Sequence, residues 1–102
     1  MKAEEINQAI SHYRWLAGIV KKYDENLYRF ERRRDDLQIA EIGFYCCGDR
    51  IETFKFNTHR TIDPEPFINA LKRCIDSMKQ EIEEVKNKYD MIEFEELEPY
   101  DM

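Results

Sequence analysis

Arg29, Arg32, Arg33 and Arg34 fall within six consecutive positions, in the run RFERRRDD. Guanidinium forks grip phosphate and carboxylate oxygens with two parallel hydrogen bonds. A cluster of this kind therefore has the chemistry of an anion site. It stands out because the 102-residue chain is acidic, with a formal net charge of −6. Arg50, His59 and Arg60 complete the set of candidate ligand-binding residues, since a chain that doubles back after residue 34 brings them toward the cluster. Part of the cluster has a simpler cause: cations at a helix C-terminus stabilise it by roughly 0.3–1 kcal/mol each. That explains one or two arginines, not a convergent group.

No other residue pattern carries specific chemistry. Ser11 and His12 are neighbours and cannot face each other on a helix. Cys46 or Cys47 could approach His59, but no acid orients the imidazole and no oxyanion hole is marked. There is no Gly-rich phosphate loop and no H-E-x-x-H. No catalytic residue is assigned, and a non-enzymatic role is expected. Cys46, Cys47 and Cys74 make an odd set without C-x-x-C spacing, which reads as reduced thiols of a cytoplasmic protein. Neither a metal site nor a cofactor is expected.

Long helices must position the arginines. Charged residues make up 37% of the chain and hydrophobic ones 42%, too apolar for a disordered acidic segment. Three glycines and three prolines leave little room for loops. Over residues 3–33, Ile6, Ile10, Tyr13, Ala17, Val20 and Leu27 repeat in alternating steps of four and three. Asp24 fills the one polar slot of this heptad seam. Leu16, Tyr23 and Phe30 widen the stripe. A second helix is predicted from about 64 to 92, with Asp63 as cap and Pro64 in the first turn. Its stripe is Ile68, Leu71, Ile75, Met78, Ile82, Val85, Tyr89 and Ile92.

Between them, LQIAEIGFYCCGDRIETFKFN reads as a β-hairpin, with Ala40, Ile42, Phe44 and Cys46 alternating, as do Phe54 and Phe56. A three-residue loop over 48–50, or a bulge of equal effect, keeps both apolar sets on one face. It pairs Cys47 with Ile51, Phe44 with Phe54 and Ile42 with Phe56. The fold class is α+β, in the order α-β-β-α, with two long antiparallel amphipathic helices packed like a coiled coil. Residues 1–92 form a single domain, and residues 93–102, with five acids among ten, form an acidic tail.

This arrangement separates charge. The arginines, Lys55, Lys72 and Arg73 gather toward the hairpin, while residues 81–101 carry nine acids and two lysines. A duplex-DNA reader is normally basic overall, so general DNA binding is not expected. Trp15 and Ile19, one turn apart away from the seam, form a candidate interface. The chain has no apolar run long enough to span a membrane.

The opening MKAEEINQAI helix, the hairpin around CCGDRIE and the closing LKRCIDSMKQEIEEVKNKY resemble the small helix–hairpin–helix accessory proteins of bacteriophages and mobile elements. The resemblance is architectural and spans residues 1–90. It implies a counter-defence factor in the host-cell cytoplasm. Two partners follow: a sequestered nucleotide signal, held by a homo-oligomer, or a host defence protein such as a nuclease or CRISPR-type effector. In the second case the acidic end does the blocking. A structural or assembly adaptor is the remaining alternative.

Overall fold

The computed structural model describes residues 2–56 and 62–102. Helix α1 spans Ala3–Arg32 and helix α2 spans Glu65–Lys88. Between them lie strands β1, Glu41–Cys46, and β2, Asp49–Lys55, paired antiparallel as a two-stranded sheet. The order is α-β-β-α, as the spacing predicts. No helix among the described residues is long and apolar enough to cross a membrane.

Polar pairs along the seam show that the helices run antiparallel. His12 meets Glu81 at 2.9 Å, Glu31 meets Lys72 at 2.8 Å, and Arg34 meets Glu65 at 2.7 Å. Asp24, the carboxylate in the seam, lies 3.6 Å from Lys79 and is about half exposed. Both ends of α2 differ slightly from expectation. The helix starts at Glu65 with Pro64 at the cap position, one residue later than predicted, although Asp63 Oδ1 still accepts the Glu65 N–H at 3.0 Å. It stops at Lys88, a turn earlier than its apolar stripe, because the chain turns back at Tyr89.

The core sits in the helical half. Its buried side chains are Ala9, Tyr13 and Leu16 on α1 and Ile68 and Ile75 on α2, spread along the seam. Leu16, expected only to widen the stripe, is among the most buried side chains of the protein. Phe94 completes this core from beyond α2 and is fully buried, its ring centroid 4.9 Å from that of Tyr13.

The last ten residues, expected as an acidic tail, fold back over α1. A short 3₁₀ turn, Phe94–Glu96, sends Phe94 inward. The Tyr100 N–H then donates to the Arg14 carbonyl at 3.0 Å, and Arg14 Nε donates to the Glu98 carbonyl at 2.7 Å. The Arg14 guanidinium also lies 4.3 Å from the Tyr100 ring centroid. Gly18 makes this crossing possible, because a Cβ there would land on the Tyr100 carbonyl oxygen. Lys86 pins the strap at 2.9 Å from Glu95. That contact lowers the Glu95 pKa and raises the Lys86 pKa.

The hairpin register is shifted by two residues from the expected one. Cys47 and Gly48 form the turn, with φ of 52° and 87°, rather than a loop over 48–50. Positive φ at both central residues matches the right-handed twist of the strands. Ile42 pairs with Phe54 and Phe44 with Glu52, and a bulge then leaves Ile51 as the extra residue before Tyr45 meets Arg50. The bulge restores the parity that the alternation requires. Ile42, Phe44, Phe54 and Phe56 share a face, with Phe44 and Phe54 edge to face at 5.6 Å.

Candidate functional site

The end of α1 divides its charged residues between two directions. At 100° per residue, Tyr28, Arg29, Arg32 and Arg33 fall on one face and Glu31 and Arg34 on another. The second face meets α2. Arg34 Nε contacts Glu65 at 2.7 Å, and Glu31 contacts Lys72 at 2.8 Å and Arg34 at 4.0 Å. The Lys72 hydrogen bond, aided by the charges of Lys72 and Arg34, holds the Glu31 carboxyl below its ordinary value of 4.5. Arg34 is thus committed to joining the helices.

Arg29, Arg32 and Arg33 make no ion pair among the described residues, and neither do Asp35 and Asp36 beside them. The three arginines, with Tyr28, Phe30 and Leu37, line an open groove of about 640 Å³. Arg32 Nη1 donates to the Tyr28 hydroxyl at 3.1 Å, with the guanidinium 5.5 Å from the Tyr28 ring centroid. This contact orients the fork while leaving its remaining N–H donors free. Three guanidinium groups beside an exposed phenol ring can hold an anionic group, and the ring can stack on an attached aromatic base.

The other predicted site residues lie elsewhere or outside the described chain. Arg50 sits near the hairpin turn, opposite Tyr45, and does not line the groove. His59 and Arg60 lie outside the described residues. Trp15 is half exposed, its ring stacked beside His12 at 6.3 Å, and Ile19 is partly buried. The strap passes over the neighbouring Ser11, Arg14 and Gly18 face instead.

Tyr28, Phe30 and Leu37 are the groove residues that the sequence reading missed, Phe30 having been assigned to the apolar stripe. The signal for Tyr28 was available, since it stands four positions before Arg32 and so one helical turn away. Leu37 carried none, because its place depends on how the chain leaves the 3₁₀ turn Arg34–Asp36. Comparison with protein-family models, curated proteins and solved structures returns no match to this chain.

Proposed function

We propose that the protein is a non-catalytic, homo-oligomeric binding protein that holds a small phosphorylated ligand of the nucleotide class in the groove at the end of α1. One observation carries this reading: Arg34 is neutralised by Glu65, whereas Arg29, Arg32 and Arg33 line a groove with Tyr28. Cations needed only to compensate a helix terminus would not require an aromatic neighbour. In the setting implied by its architectural resemblance, such a protein sequesters a nucleotide signal in the cytoplasm of an infected host.

Calorimetry with pyrophosphate and a panel of cyclic and linear nucleotides tests this. Charge-assisted contacts contribute roughly 1.5–3 kcal/mol each. Arg29→Ala/Arg33→Ala should therefore weaken binding by about a hundredfold or more, with the helical fold intact by circular dichroism. Binding should also weaken with added salt. If no phosphorylated compound binds, and a nuclease is instead inhibited through exposed acids such as Glu93 and Glu96, the protein acts through its acidic end.

A further inference from the structure

The two free edges of the hairpin are built differently. The β2 edge is interrupted by the bulge at Ile51 and carries Arg50, Glu52 and Lys55. Bulges and charges are what keep an edge from pairing with another chain. β1 has no bulged residue, no proline and no charge from Ile42 to Cys46.

The ladder fixes which groups of β1 are free. Phe56 donates its N–H to the Ala40 carbonyl at 2.8 Å, which makes Ala40 and Phe56 a hydrogen-bonded pair. Antiparallel pairs alternate, so Ile42–Phe54 and Phe44–Glu52 are also hydrogen-bonded. The N–H and C=O groups of Glu41, Gly43 and Tyr45 therefore face away from β2, along the open edge.

We propose that β1 pairs antiparallel with β1 of a second copy across a two-fold axis at Gly43, joining two hairpins into one four-stranded sheet. This deepens the oligomeric part of the proposed function and is independent of the ligand. Centring the axis on Gly43 sets Gly43 opposite its own copy, Glu41 opposite Tyr45, Ile42 opposite Phe44, and Ala40 opposite Cys46. Every outward residue of both strands is then used, giving about six hydrogen bonds, two for each outward pair. An axis at Phe44 would set Glu41 against Cys47, which has left the strand at φ 52°. An axis at Ile42 would set Tyr45 against Ile39, outside β1.

The side chains agree with this register on both faces. On the even face, Phe54, Ile42 and Phe44 of the second copy form a continuous apolar row, repeated by symmetry. Phe44 and Phe54 are each 51% exposed in the single chain, which leaves this surface to be covered. On the odd face, a Cβ at Gly43 would lie 3.2 Å from Tyr45 Cε2, so the Tyr45 ring occupies the space above the glycine. A glycine inside a strand weakens it unless another backbone comes close. At the axis, Gly43 gives the two backbones that room. The uncharged centre of β1 also spares two acidic molecules a like-charge contact where they meet.

Sedimentation velocity of the full chain, with three substitutions, tests the interface. Gly43→Pro removes an outward N–H and leaves the ladder donors of Ile42 and Phe44 in place. It should raise the dimer dissociation constant by about a hundredfold. Thr53→Pro removes the corresponding outward N–H from β2 and should leave the dimer intact. Ala40→Cys should form, on mild oxidation, an intermolecular disulfide to Cys46 of a second copy. Directly opposed residues of this kind lie about 4.5 Å apart between Cα atoms, within disulfide reach. A dimer that survives Gly43→Pro and gives no such cross-link overturns this interface and leaves the oligomeric reading standing. A monomer at every concentration overturns both.

Discussion

The helical body and the hairpin are made of similar proportions of apolar residues, yet they use them oppositely. Among the described residues, every buried side chain, from Ala9 to Phe94, belongs to α1, α2 or the strap. The hairpin has none; Phe44, Tyr45, Ile51 and Phe54 are all more than half exposed. A lone two-stranded hairpin is marginal in water. The body therefore supplies the stability of the single chain, and the hairpin offers surface for association. The arginine groove lies where the two regions join, on rigid helix at the point where the chain departs for the hairpin.

Removing one aromatic ring from each region should expose the contrast most sharply. Phe94→Ala empties a fully buried site packed on Tyr13 and should cost about 3–5 kcal/mol, enough to threaten folding of a domain this size. Phe54→Ala, measured on dilute protein, should cost less than about 1 kcal/mol, since its ring is half exposed. Chemical denaturation at low micromolar concentration measures both. Equal losses would mean that the hairpin is part of the core.

Gly18→Ala should come next. The added methyl meets backbone, not a flexible side chain, so the strap must lift from α1. A loss of about 1–3 kcal/mol is expected. Faster amide exchange at Tyr100, whose N–H is held by the Arg14 carbonyl, would confirm the cause.

The strap also marks where sequence reading stopped. The two helices and the shared hairpin face were legible because heptad and alternating spacings are set by geometry. The strap was not, because Phe94, Leu97 and Tyr100 are spread through an acidic run that looks solvated. Their spacing of three, and an unexplained glycine on the opposite helix, become informative only once the chain is seen to turn back at Tyr89. The turn was missed for a different reason. Nothing in the sequence announces that Cys47 takes a left-handed conformation, a role that asparagine or glycine more often fills. The arginine cluster was visible as charge. Its division into a groove and a helix-joining pair was implicit in helical angles, but which face met α2 required the seam.

Asp24→Leu should have a smaller effect, of opposite sign. Leucine would continue the apolar seam, and the exposed Asp24–Lys79 pair it replaces is worth about 0–1 kcal/mol. A rise of a few degrees in Tm is expected. A fall would show that the pair fixes the register of the helices.

The smallest effect concerns pH. The folded pKa values of Glu31 and Glu95 lie below 4.5, so their contribution is present above that pH and is lost as the pH falls through their folded values. The Lys86 pKa lies above 10.5, so its contribution is present below that pH and is lost as the pH rises through its folded value. All three groups are close to solvent, so a shallow decline of Tm at both extremes is expected. Glu95→Gln should flatten the alkaline limb and leave the part of the acid limb that belongs to Glu31.

Hydrogen exchange resolved to single amides, at low and high protein concentration, tests the division between body and hairpin most directly. Core amides such as those of Leu16 and Ile75 should exchange slowly at both concentrations. The amides of Glu41, Gly43 and Tyr45 should exchange freely in dilute protein and become protected as concentration rises, because only a second copy can accept their hydrogen bonds. Concentration-independent exchange at all three would contradict the account.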